Sequence, residues 1–182
     1  MKYIYTIVAI ALLYFVGNDI YKQNTKTAGG GKSTRLACHK TCKVFERVYD
    51  DELLKKAQET VRTGEYELIS RIKEAKFMET KMFEYVQLKK VDQMVRDAIT
   101  KRRDYGAKAD GKVAIDYYIY ENDKADPGKK TKKSKLYAGF LRFVLTYDGI
   151  KFYSVQADFM DLEGKDIPKS VECAIESFMT VD

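Results

Sequence analysis

The chain has 182 residues, 45% hydrophobic and 33% charged, with 11 Gly, 2 Pro and a net charge of +6. That length holds one ordinary domain and an appendage, and the composition excludes a disordered or collagen-like chain. Three cysteines exclude a disulfide-dense miniprotein, and a single histidine, His39, leaves little scope for histidine-based catalysis.

The amino terminus is apolar. Residues 3–17 carry no charge, and Asp19 is the one charged residue between Tyr3 and Tyr21. A membrane-crossing helix needs about 17–25 residues, and aromatics stand at both ends of this stretch, where an interface belt would sit. Lys2 and the terminal amine form a short positive head, so residues 1–21 read as a membrane anchor or a signal segment. Phe15-Val16-Gly17 places bulky residues where a cleavage site wants small ones. Six basic residues from Lys22 to Lys43 follow the run and would favour the cytoplasm. The minimal head favours export, and export of the carboxy-terminal part is the expectation adopted. Residues 22–34, with Gly29-Gly30-Gly31, read as a flexible tether. Gly31-Lys32-Ser33 imitates the end of a phosphate-binding loop, but Lys26 stands where its first glycine is required.

Two helical stretches are expected next. Phe45, Val48, Tyr49 and Leu53, then Leu54, Ala57 and Val61, recur at three-to-four spacing between Arg35 and Arg62, and Gly64 supplies a C-cap. Leu68, Ile72, Ala75, Met82 and Val86, then Val91, Val95, Ala98 and Ile99, continue the pattern as a second helix. Residues 76–88 are ambiguous between helix and strand.

The period then changes to two. Val113, Ile115, Tyr117 and Ile119 alternate with Ala114, Asp116, Tyr118 and Tyr120; Leu141, Phe143 and Leu145 alternate with Arg142, Val144 and Thr146; Tyr153, Val155, Ala157 and Phe159 share a face. Asp148-Gly149 fits a type I′ hairpin turn. Asp166 and Pro168 open a final helix with Val171, Ala174, Ile175 and Phe178 on one stripe. The predicted fold is therefore α+β: an N-terminal membrane helix, two long helices, a three-stranded antiparallel meander, and a C-terminal helix packed on the sheet. Residues 35–105 form the helical region, and 106–182 add the sheet and last helix to the same domain.

The run Gly139-Phe140-Leu141-Arg142-Phe143-Val144-Leu145, then Asp148-Gly149, Val155, and Ile167-Pro168-Lys169-Ser170-Val171-Glu172-Cys173-Ala174-Ile175 is similar to the carboxy-terminal domains of TonB/TolA-type proteins. The resemblance covers residues 95–180. It implies a helix, a strand meander and a helix, in an envelope protein with one amino-terminal anchor and a periplasmic tail. It assigns no functional residue here.

Chemistry-bearing residues are few. Lys129, Lys130, Lys132, Lys133 and Lys135 lie in one hairpin loop, and the rest of the chain carries about +1 without them. They are candidates for contact with anionic lipid or phosphate. No nucleic-acid-binding motif accompanies them, so nucleic acid is not the expected partner. Cys38, Cys42 and Cys173 are candidates for a disulfide, with Cys173 able to pair with either of the others. Cys38, His39, Cys42 and Cys173 also make a formal zinc set, but neighbouring Cys38 and His39 diverge by about 100° on a helix. No metal or cofactor is expected. Asp116, Asp158 and Asp161 fall on strand-like segments, and no nucleophile–base pair is evident. The expected function is non-enzymatic: a membrane-anchored, extracytoplasmic domain for protein–protein interaction or assembly in the cell envelope. Two alternatives stand beside it. One is a cystatin-like or NTF2-like domain for a small ligand or lipid. The other is an accessory subunit that docks anionic lipid or nucleic acid through the Lys-rich loop.

Overall fold

The computed structural model describes residues 35–181. In chain order these form a 3-10 turn (Ala37–Lys40), β1 (Val44–Val48), α1 (Asp51–Thr63), β2 (Glu67–Lys73), α2 (Met82–Tyr85), α3 (Leu88–Thr100), β3 (Val113–Glu121), a second 3-10 turn (Lys132–Lys135), β4 (Gly139–Tyr147), β5 (Ile150–Phe159) and α4 (Ile167–Thr180). The strands make one mixed sheet in the order β1-β5-β4-β3-β2. Only the β2–β3 pairing is parallel. That pairing needs a crossover, which α2 and α3 provide.

The meander β3-β4-β5 forms where the alternation places it. Tyr147 pairs with Ile150, and Asp148 and Gly149 between them take φ of 49° and 82°, the left-handed backbone of a two-residue hairpin. The inward residues Ile115, Tyr117, Ile119, Leu141, Phe143, Val155, Ala157 and Phe159 are all buried. Phe152 has no register partner, because the ladder shifts between Leu145 and Thr146. This bulge lets Phe152 and Tyr153 both pack on Phe178 of α4, at ring separations of 6.2 and 5.7 Å.

Three corrections follow from the structure. The sheet has five strands rather than a three-stranded meander. The two long helices expected over 35–105 are replaced in part by strands: Val44–Val48 and Glu67–Lys73 are edge strands, and Lys76–Leu88 holds only the four-residue α2 and the start of α3. The cause is a shared period, since Leu68 and Ile72 are four apart and a spacing of four fits a helix turn and two strand repeats equally. The helix actually present in the first stretch starts late, because Asp50 accepts from the amides of Glu52 and Leu53 and nucleates α1 there. Asp166, expected to cap α4 with its side chain, instead accepts from the amides of Met160 and Asp161. Among the described residues no helix is long and apolar enough to cross a membrane. The membrane helix expected at 3–21 and the tether at 22–34 lie outside the described residues.

α1, α3 and α4 cover one face of the sheet. α4 supplies Val171, Ala174, Ile175 and Phe178, all buried. Each such large apolar side chain contributes about 1.5–3 kcal/mol. The carbonyls ending α4 are satisfied from outside the helix: Arg35 donates to Ser177 O, Gln58 to Phe178 O and Arg62 to Met179 O. Glu46 points inward from the edge strand β1 and is held by Arg35 at 2.9 Å and by the Tyr153 hydroxyl at 2.8 Å.

Candidate functional site

Among the described residues no helix packs on the second face of the sheet. Register assigns its residues. One row across all five strands reads Phe45, Gln156, Arg142, Tyr118, Arg71. The row beside it reads Arg47, Ser154, Val144, Asp116, Ile69, and on the other side Asp158, Phe140, Tyr120 and Lys73 align. Aromatic and cationic side chains therefore interleave across the whole width of the sheet. Phe45 is 49% exposed and Ile69 41%.

The rings on this face are ordered by their neighbours. Phe140 meets Tyr118 edge-on at 6.0 Å and Tyr120 at 5.3 Å. Arg71 and Lys73 each lie over the Tyr118 ring, at 5.7 and 5.4 Å. At the opposite edge Arg47 and Lys151 sit over Tyr49 at 4.7 and 3.9 Å, and Lys43 over Phe45 at 5.1 Å. Such pairings hold long cationic chains flat against aromatic surface, so less freedom is lost when a partner arrives. Burial would raise the Tyr49 phenol, but the Ser154 hydroxyl and the Lys151 and Arg47 charges outweigh it and lower the pKa.

The face is positive. Lys43, Arg47, Arg71, Lys73, Arg142 and Lys151 stand against Glu67, Asp116 and Asp158. Asp116 is occupied by Arg71 at 2.6 Å. Asp158 is only 5% exposed. Burial pushes its carboxyl up, and the Gln156 amide and Lys43, 4.0 Å away, offset part of that rise. A patch of this composition has the ingredients of an interface: aromatic anchors, arginines and a polar rim.

The Lys-rich loop joins β3 to β4 and is folded. Lys129 turns inward to Asn122 Oδ1, while the Asn122 amide donates to Ser134 O and Tyr137 O. Lys130, Lys132, Lys133 and Lys135 remain exposed. Nearby, Asp123 Oδ2 accepts from the amides of Lys76 and Phe77, which ties the crossover to the end of β3. A cleft of about 310 Å³ lies between these loops, lined by Met78, Glu79, Lys81, Tyr85, Glu121 and Leu162 among others. It sits at the end of the sheet and has charged walls, unlike the apolar cavity among tyrosine-bearing strands that a small-ligand domain would use.

The cysteines lie on the helix-covered side. Cys38, in the first 3-10 turn, is joined to Cys173 in α4, with Cα atoms 5.7 Å apart. Cys42 is free and buried, its thiol 3.6 Å from the Ser170 hydroxyl, and burial raises its pKa. His39 Nε2 lies 2.7 Å from Ser177 Oγ. Of the acidic residues, Asp116 and Asp158 reach the open face two strands apart and four residues out of row, while Asp161 accepts from the amides of Glu163 and Lys165 in the turn after β5. They do not converge. The open face as a unit is not legible in the sequence. Its signal was present in the outward residues of the meander, Tyr118, Tyr120, Phe140 and Arg142, but β1 and β2 were needed to complete it.

No protein-family model, no curated protein and no solved structure matches the chain.

Proposed function

We propose that this chain is a non-enzymatic docking domain, attached to a membrane through residues 3–21, whose open sheet face binds a partner protein in the cell envelope. The observation that carries the reading is the five-strand row Phe45, Gln156, Arg142, Tyr118 and Arg71, rich in rings and cations, on a face that no helix among the described residues covers. Aromatic residues and arginine are the types enriched at protein interfaces. Its charge selects a partner segment rich in carboxylates, and its rings select apolar residues set among them. The Cys38–Cys173 disulfide supports an extracytoplasmic setting, because such bonds persist in oxidising compartments. The similarity of residues 95–180 to TonB/TolA-type domains points the same way.

Site-directed photocrosslinking in native membranes tests this. A photoreactive residue at Val144, in the centre of the open face, is expected to give one discrete protein adduct. The same group at Lys55, exposed on α1, is expected to give none. Arg142→Glu is expected to abolish the Val144 adduct. Equal adducts at both positions, or an adduct indifferent to Arg142→Glu, would overturn the reading.

A further inference from the structure

On the helix-covered side, away from the docking face, the turn Ala37–Lys40 lies against α4. Cys38 and His39 straddle the same stretch of that helix and meet positions 173 and 177, which are one turn apart and share a helix face. The result overrides the divergence expected of neighbouring residues. The sulfurs of Cys38 and Cys173 and a ring nitrogen of His39 all lie within 4.8 Å of one another. Donors on one tetrahedral zinc ion stand about 3.3–3.8 Å apart, given Zn–S near 2.3 Å and Zn–N near 2.0 Å. Small side-chain rotations bridge the difference. Ser177, fully buried, places its hydroxyl 2.7 Å from His39 Nε2, and that hydrogen bond orients the imidazole.

We propose that this cluster has two states: a disulfide when oxidised, and a Zn²⁺ site held by the Cys38 and Cys173 thiolates and the His39 imidazole when reduced. The conversion needs a dithiol reductant. Its thiolate attacks the partly exposed Cys38 sulfur, the Cys38–Cys173 bond breaks, and Cys173 leaves as thiolate and takes a proton. The second thiol of the reductant then attacks the mixed disulfide and frees Cys38, and the reductant departs as its own disulfide, having given up two electrons. Zn²⁺ displaces the two thiol protons on binding. Cys38 and His39 are partly open to solvent, so water completes the coordination. Cys42, whose thiol lies against the Ser170 hydroxyl and Asp158 O at the end of β5, is outside the set.

The full chain carrying Cys42→Ala, purified in detergent, is titrated with Zn²⁺ in competition with a chromophoric chelator, before and after reduction by a phosphine. The reduced protein is expected to take up one Zn²⁺ per chain and the oxidised protein none. Co²⁺ in place of Zn²⁺ should give a thiolate-to-metal absorption band in the reduced protein alone. His39→Gln is expected to weaken Zn²⁺ binding at least about tenfold, because a ligand has been removed. Circular dichroism follows the fold throughout. If reduction unfolds the protein, Zn²⁺ must refold it. Failure of Zn²⁺ to bind or to refold the reduced chain, equal uptake by the oxidised chain, or unchanged affinity in His39→Gln would each overturn the proposal, without touching the docking face.

Discussion

Tyr117 and Tyr118 are neighbours in β3 and stand on opposite sides of the same sheet. Tyr117 is fully buried, stacks on Phe143 at 5.0 Å and donates its hydroxyl to Asp92 of α3 at 2.7 Å. Burial first, and then the Asp92 carboxylate, push its phenol far above the ordinary range. Tyr118 is half-buried and lies under the Arg71 and Lys73 cations with Phe140 at its edge. One ring is enclosed by helices and serves the core. The other stands beside charge on the open face. The same contrast runs along β4, where Phe143 faces in and Arg142 and Val144 face out. Residue type alone does not separate the roles; the side of the sheet does.

The sharpest way to test that contrast is to truncate both members of an adjacent pair. Phe143→Ala is expected to cost about 3–5 kcal/mol, because it removes a large buried ring from the helix-covered face of β4 and leaves a cavity beside Tyr117. Val144→Ala is expected to cost less than about 1 kcal/mol. Urea unfolding of both variants measures the difference. Similar losses would mean that the second face is as enclosed as the first.

The legibility of the fold followed the same division. The meander is readable because its inward residues are uniformly apolar, its outward residues are mixed, and Asp148-Gly149 fits a two-residue turn. The edge strands are not. β1 is five residues long, too short for a period to declare itself, and its inward set includes Glu46. β2 carries Ile69 outward and Leu68 and Ile72 inward, and the four-residue interval suits a helix as well. What decides both cases is a partner strand far away in the chain. Val44–Val48 pairs with Tyr153–Ala157, and Glu67–Lys73 with Ala114–Tyr120, across separations that no local pattern encodes. The candidate site suffered more than the fold, because half of its belt lies on those two strands. The cysteines are visible as a set, but Cys38 and Cys42 both precede β1 and lie at similar distances along the chain from α4, so the choice between them rests on packing. The local run of lysines was conspicuous in sequence, whereas the cations of the open face, Arg47, Arg71, Lys73 and Arg142, are scattered through the chain and gather only in the sheet.

A smaller effect is expected at Asp158, where the open face dips into buried territory. Its carboxyl is raised above the ordinary 3.8, so the folded chain holds that proton more tightly than the unfolded chain does. The group's contribution to stability is therefore greatest below pH 3.8 and is lost as pH rises from there through the elevated folded value. At neutral pH the buried charge is a liability that Lys43 and Gln156 only partly relieve. Asp158→Asn keeps the shape and an oxygen for the Gln156 amide. It is expected to raise Tm by a few degrees at pH 7, with the gain shrinking as the pH is lowered toward 3.8. A gain of the same size at both ends of a pH series of melting curves would show that the charge is not responsible.

The smallest effect on stability, and the most telling for the comparison, belongs to Tyr118. If its ring serves a partner, the isolated domain loses little without it. Tyr118→Ala is expected to change unfolding free energy by no more than about 0.5 kcal/mol, since Arg71 keeps its ion pair with Asp116 and solvent replaces the ring. In membranes the same substitution removes an aromatic anchor from the centre of the belt. Anchors of that kind are worth about 2 kcal/mol or more to an interface, roughly a thirtyfold weakening. The yield of the adduct from a photoreactive group at Val144 should therefore collapse while the melting curve stays in place. A Tyr118→Ala protein that is destabilised as severely as Phe143→Ala would place Tyr118 in the core and erase the distinction between the two faces.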